Sequence, residues 1–203
     1  MKKILLLDIC GTITTKNTTI DFIQFIKKKL PWYKITIGRL LWKFLKNDYL
    51  RKQYIMKLKS HTKTELQQLA NLYVEQLEFD KEILKYVKYL QNNNYTLILT
   101  SATLDIIAQA ISNKLLADEV VSSELKFEKG YCLGTLLSDT LDIKEKKIHA
   151  SIFDKENFIC LITDNHGDYN LSKKCNITFS VSRNNKDYSY WENKNVHIIE
   201  RNN

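Results

Sequence analysis

The stretch Leu5-Leu6-Leu7-Asp8-Ile9-Cys10-Gly11-Thr12 decides the fold. An apolar run ends on a lone carboxylate, and a Gly-Thr turn follows at once. A short unbroken apolar run bounded by a turn predicts a buried strand. In an open α/β sheet, such a strand delivers its last residue to the carboxyl edge, where ligands bind. Asp8 in that place can attack phosphorus or coordinate a metal. The plainer reading is a strand-end carboxylate bonded to nearby loop N–H groups.

Outward from this strand, Lys3 to Asp8, residues 13–18 are polar and β-branched, suiting a loop or small flap. Helical spacing then takes over at Ile20, Phe22, Ile23 and Ile26, until Pro31 breaks it. Ile37, Leu40, Leu41, Phe44 and Leu45 form a second helical stripe with Arg39, Lys43 and Lys46 off it. A helix is predicted over Tyr49 to Lys59, and another over Thr62 to Glu78, where Thr62 and Glu65 make a capping box. Residues 16–78 therefore read as an all-helical insertion after the first strand.

An α/β rhythm resumes beyond it. Helices are predicted at Lys81 to Gln91, Leu104 to Leu115 and Lys144 to Phe153, with a short one near Leu171. Strands are predicted at Tyr95 to Thr100, Ala117 to Ser122, Phe158 to Thr163, Ile177 to Val181 and Val196 to Ile199. A hairpin spans Leu125 to Leu136 with Lys129-Gly130 at its turn. Strands alternating with helices argue for an α/β fold, a Rossmann-like parallel sheet covered on both faces. The expected division is a core of residues 1–15 and 79–203 and a helical cap of residues 16–78.

With 203 residues the chain holds one such core plus an inserted module. An apolar fraction of 44% is ordinary for a globular protein. Four cysteines stand far apart with no CxxC pair, which reads as reduced thiols in a cytoplasm. The apolar N-terminal segment before Asp8 is too short for a signal-peptide core, and no segment reaches the ~18 apolar residues of a membrane span. The net charge of +8 is concentrated: Lys27 to Lys59 holds eleven Lys and Arg against one acid, Asp48, together with Trp32, Tyr33, Trp42, Phe44, Tyr49 and Tyr54. Such a run is usually a solvated helix face. Its shortage of acids also suits weak contact with an anionic membrane surface, or a cap that concentrates phosphate-bearing substrate. No nucleic-acid-binding motif accompanies it, so no nucleic-acid partner is expected.

Four strand-end features follow in order: Asp8, then Ser101-Ala102-Thr103, then a lysine near 147, then Asp164 and Asp168 in Thr163-Asp164-Asn165-His166-Gly167-Asp168. With the hairpin Gly130-Tyr131-Cys132-Leu133-Gly134, they resemble the motifs of the haloacid dehalogenase superfamily over nearly the whole chain. The phosphoserine-phosphatase-like branch, with its helical cap, is the most similar. The resemblance implies a Mg²⁺-dependent phosphatase acting on a small phosphorylated metabolite, in which Asp8 is the nucleophile and forms an aspartyl-phosphate. It implies Mg²⁺ ligation by Asp8, the backbone carbonyl of Cys10 and Asp164, with Asp168 farther out or linked through water. Ser101, with the Ala102 N–H as a helix-start donor, is implied to bind phosphate. Its plainer role is a helix N-cap, and Thr100 is the alternative one register away. Of the cluster Lys144, Lys146 and Lys147, the segment Lys147-Ile148-His149-Ala150 matches the family's motif best, with Lys146 second. That lysine stabilises the transferring phosphoryl group and Asp8. His166 reads as a solvated loop residue before a metal ligand.

Cys10 stands where the family commonly carries the aspartate that protonates the leaving alcohol and then activates water, a role worth ~10²–10⁴-fold. A thiol, with a pKa of about 8.5, is a poor substitute. Three readings stay open: a slower phosphatase, a phosphotransferase, or an impaired relative that binds through its basic cap. Relatives serve small-molecule or surface-polysaccharide pathways, an analogy of fold only. Phosphoserine phosphatases place a carboxylate nine residues after the nucleophile to bind the substrate ammonium; here that position is Asn17, with Asp21 nearby. Free phosphoserine is therefore expected to be a poor substrate, and an alcohol derived from an amino alcohol or linked to a sugar a better one.

Overall fold

In β1 (Lys3–Leu7), Leu5 and Leu7 face one way, Ile4 and Leu6 the other, and all four are buried. Leu5 and Leu7 join the larger apolar cluster with Leu97, Leu99 and Ile162, while Ile4 and Leu6 join a second one with Ile98, Leu161 and Leu171. Each such side chain contributes about 1.5–3 kcal/mol by leaving water. A sheet covered on both faces has no polar side, which is why its inner strands read as unbroken apolar runs. The computed structural model describes residues 1–26, 30–45, 48–141 and 143–201, and the side chains of all of these except 42–45. The basic and aromatic side chains at 27–29 and 42–46 singled out above lie outside that description.

The sheet also comprises β2 (Tyr95–Leu104), β3 (Glu119–Glu128), β4 (Tyr131–Ser138), β5 (Phe158–Thr163), β6 (Ile177–Ser182) and β7 (His197–Glu200). Their order is β4-β3-β2-β1-β5-β6-β7, parallel throughout except for the β3–β4 hairpin. The chain builds outward from β1 to one side, then returns through β5 to the other. That reversal opens a crevice at the carboxyl end of β1, where Asp8 stands. The hairpin turns at Lys129-Gly130, both with positive φ, the backbone a two-residue hairpin turn requires.

Between β1 and α5 (Lys81–Asn92) lie four helices: α1 (Thr18–Phe25), α2 (Trp32–Leu45), α3 (Tyr49–Ile55) and α4 (Lys63–Gln76). The helix predicted over Tyr49 to Lys59 divides into α3 and a 3-10 turn at Met56–Leu58. Thr62 caps α4 by accepting from Glu65 N at 3.2 Å. The next residues back meet the hairpin: Ser60 N donates to Cys132 O at 2.9 Å and Cys132 N to His61 O at 2.8 Å. These bonds cover part of the β4 edge, which would otherwise offer unpaired backbone groups.

Three other expectations are corrected. β2, predicted to end at Thr100, runs to Leu104, with its pairing to β3 shifted between those two residues, so Ser101 is no helix N-cap, while α6 (Asp105–Leu115) starts within one residue of the expected Leu104. The helix predicted over Lys144 to Phe153 is α7 (Lys144–Lys147) and a 3-10 turn at Ala150–Phe153, because Ile148 between them is extended. After α8 (Tyr169–Ser172), an unanticipated helix α9 (Asn185–Trp191) starts at Asn184, whose side chain accepts from the N–H groups of Lys186 and Asp187. Trp191 at its end is fully buried. No helix among the described residues is long and apolar enough to cross a membrane.

Candidate active site

Asp8 leaves β1 with its N–H donating to Ile162 O at 3.0 Å, and its Oδ1 accepts from Ile9 N at 2.8 Å. Lys144 Nζ lies 2.9 Å from Asp8 Oδ2 and 2.8 Å from Asp168 Oδ2. All three side chains are buried. Thr163 Oγ1 also donates to Asp168 Oδ2, at 2.7 Å. Asp164, one residue past β5, accepts from Thr12 Oγ1 at 2.8 Å. Its N–H donates back to the same oxygen at 2.9 Å. The turn between Asp8 and Thr12 depends on Gly11, where φ is +81° and a Cβ would fall 1.9 Å from Asp164 Oδ2. No other residue lets the backbone pass that carboxylate.

The lysine beside Asp8 is thus Lys144, and this corrects the choice of Lys147, and of Lys146 after it. Helical Cα–Cβ bonds tilt toward the helix N-terminus. The first lysine of α7 consequently reaches the sheet edge. Lys147, one turn later, reaches Ser138 Oγ at an exposed position, at 2.7 Å. The available signal was position in the run: the lysine that starts the helix.

Ser101 lines the pocket at Asp8, and Thr100 does not. Ala102 sits in the irregular end of β2 and not at a helix start, so its N–H carries no helix-terminal field. The Ala102 carbonyl accepts from Arg51 at 2.7 Å. Arg51, on α3, also binds Asp139 (2.9 Å), Asp48 (3.2 Å) and Ser123 (3.0 Å). Sequence reasoning passed over this residue, and over Arg183, which donates to the carbonyls of Gly11 (2.7 Å) and Thr12 (2.8 Å). Apart from Asp48, three residues before Arg51, their partners lie far along the chain, with no local pattern to mark them. His166 lies outside the pocket, its ring stacked 3.8 Å from that of Tyr190. Asn17 lines the pocket, but its Oδ1 caps α1 by accepting from Ile20 N at 3.2 Å. Asp21 points elsewhere and accepts from Tyr73 at 3.0 Å.

The pocket measures about 220 Å³. A larger cavity of about 750 Å³ beside Phe79, Asp80 and Arg201 holds neither Asp8 nor Lys144. Burial and the neighbouring Asp168 charge push the Asp8 carboxyl up, against the pull of Lys144. Burial, then the Asp8 charge, push Asp164 up to about 7. Burial works against the Lys144 ammonium, yet the two aspartates outweigh it and hold its pKa above the usual value. One ammonium therefore faces two buried carboxylates, Asp8 and Asp168, with the half-buried Asp164 beside them, a crowding of acidic groups that a bound cation relieves. No group of three or more His, Cys, Asp and Glu among the described residues is placed to hold a metal. Mg²⁺ needs no such cage: one or two carboxylates, with waters and a substrate phosphate, complete its octahedron. Asp8 and Asp164 fit that donor set.

Cys10 Sγ lies 3.1 Å from Thr18 Oγ1, which in turn contacts Thr103 Oγ1. Burial, then the charge of Asp8, push the thiol up from its ordinary value. It is therefore a neutral proton donor at pH 7 and not a base.

A sequence model of haloacid dehalogenase-like hydrolases matches residues 5–173. No curated protein matches. Among solved structures, a protein of unknown function from Bordetella pertussis Tohama I superposes with a TM-score of 0.80 at 10% identity, over 98% of each chain. A HAD family hydrolase from Salmonella enterica superposes with a TM-score of 0.73 at 13% identity, over 97% of this chain and 66% of that one. A substrate-bound phosphoserine phosphatase superposes with a TM-score of 0.71 at 18% identity, over 100% of this chain and 95% of that one. At such identities the likeness is one of fold.

Proposed function

Because the chain belongs to the haloacid dehalogenase-like hydrolases, we propose that it hydrolyses a small phosphomonoester through an aspartyl-phosphate on Asp8. The observation that carries this is the buried contact of Lys144 with Asp8 at the sheet's switch point, 2.9 Å from a carboxylate that faces an open pocket. An Asp8 oxygen attacks phosphorus, the bond from phosphorus to the alcohol oxygen breaks, and the alkoxide takes a proton from the Cys10 thiol, which solvent then restores. Water then attacks the phosphorus and releases inorganic phosphate and free Asp8. Lys144 and the Ser101 hydroxyl balance the phosphoryl charge. Asp8, Asp164 and the Cys10 carbonyl would hold Mg²⁺, which supplies further charge neutralisation when bound. Residues 16–78 are read as the cap that closes on this site and 1–15 with 79–203 as its core. The four unpaired thiols fit a cytoplasmic setting.

The test is p-nitrophenyl phosphate turnover with and without Mg²⁺, in wild type and Asp8→Asn. Mg²⁺-dependent turnover lost in the folded variant supports the reading, and undiminished activity in Asp8→Asn ends it. Phosphoserine is expected to perform poorly beside other phosphomonoesters, since Asn17 carries no charge and Asp21 is turned away.

A further inference from the structure

The pocket at Asp8 has a neighbour beyond Arg51 and Leu141. Those two residues and Asn17 also line a second chamber of about 440 Å³, set between α1, α2 and α3. Its walls are largely hydrocarbon: Ile20 and Leu50 pack against the main core cluster, and Leu141 stands at the junction. The backbone of Gly38 forms a further wall, because α2 and α3 approach so closely there that a Cβ would lie 2.8 Å from Leu50 Cβ. Of the charges lining it, Arg51 and Asp48 pair with each other. Arg51 is held by Asp48 and Asp139, and Arg39 stands exposed at the rim. A charged leaving group would find no free buried counter-ion among the described residues here. On the outer face of α2, Trp32, Tyr33, Ile37 and Leu40 are each at least 45% exposed, so the apolar character continues to the surface.

We infer that the alcohol of the substrate carries an aliphatic chain, which enters the chamber between α1, α2 and α3 while its phosphate sits at Asp8. This rests on the phosphatase reading and names the substrate class for it: an amphiphilic phosphomonoester. The chamber adjoins the catalytic pocket, sharing Asn17, Arg51 and Leu141 as walls, and among the cavities described above it is the one beside the phosphate site with largely apolar walls.

The experiment is a homologous series of n-alkyl phosphates, ethyl to octyl, with Mg²⁺. The leaving alcohols are nearly equal in acidity, so the series reads contact and not reactivity. The value of kcat/KM should rise about 2–4-fold per methylene until the chamber fills, with the change carried by KM. Ile20→Trp, which fills the chamber, should bring the octyl-to-ethyl ratio toward one. A flat or falling series, with ethyl and p-nitrophenyl phosphates still hydrolysed, overturns the inference and leaves the phosphatase reading standing. If none is hydrolysed, the phosphatase reading falls. Calorimetric titration of octyl against ethyl phosphate then decides the chamber: tighter octyl binding keeps it, and equal or absent binding overturns it. Hexadecyl phosphate in phosphatidylcholine vesicles, compared with free octyl phosphate, separates a membrane-held source from a soluble one; faster turnover of either over ethyl phosphate supports the proposal.

Discussion

Lys144 Nζ bridges Asp8 and Asp168 at 2.9 and 2.8 Å, joining the ends of β1 and β5 through one buried ammonium. Lys144→Met should lower kcat ~10²–10³-fold, the scale of losing one preorganised charge at a reacting centre. Lys147→Ala, at an exposed position, should stay within about twofold of wild type. Both variants are compared by steady-state turnover and by circular dichroism. Equal losses in the two would show that the bridging lysine plays no special part.

Cys10 divides the reaction unevenly. A neutral thiol can give a proton to a departing alkoxide; the thiolate left behind, disfavoured by burial and by Asp8, is re-protonated from solvent, and the restored thiol cannot take a proton from water. The aspartyl-phosphate should therefore form faster than it breaks down. A burst of p-nitrophenol, stoichiometric with enzyme, is expected in rapid-mixing kinetics. Cys10→Asp should abolish the burst and raise steady-state turnover, by up to ~10²-fold. A folded Cys10→Asp protein with no gain, and a wild type with no burst, would assign water activation to another group.

Asp80 anchors the start of α5, where its side chain accepts from Glu82 N and Ile83 N and binds both Arg183 and Arg201. Burial pushes its carboxyl up, but the Arg201 contact, the Ile83 N–H and Arg183 outweigh that and leave it below its usual 3.8. A depressed folded pKa stabilises the fold above the unfolded value, and the contribution is lost as pH falls through the folded one. Asp80→Asn should then cost about 1–3 kcal/mol at pH 7 and progressively less below pH ~4, where the wild-type carboxyl also becomes neutral. Urea unfolding at pH 7 and pH 3 measures both ends. A loss that is the same at both pH values would mean that charge is not what holds the junction.

Much of the candidate site was legible because it is local. An apolar run closed by a turn places Asp8 at a sheet edge whatever surrounds it, and the same holds for Asp164 after β5, while Ser101 reaches the pocket from within the last residues of β2. The capping box at Thr62 and the Lys129-Gly130 turn were readable for the same reason: a few neighbouring residues set their geometry. The extension of β2 past Thr100 and the division of α7 from its 3-10 turn were not, since pairing with β3 carries the strand on to Leu104 and Ile148 turns extended after α7.

The sequence by itself determined the α/β class, the helical insertion after β1 and the carboxylates at the strand ends, because hydrophobic periodicity and turn chemistry act over a few residues. Only the tertiary structure decided which lysine meets Asp8, how Arg51 ties α3 to Ala102, Ser123 and the residue after β4, where Arg183 grips the Gly11-Thr12 turn, and that a second chamber lies beside the first. Each of these depends on which distant groups share a buried space. A charged side chain enters such a space only where counter-charges from other elements are already in place to receive it.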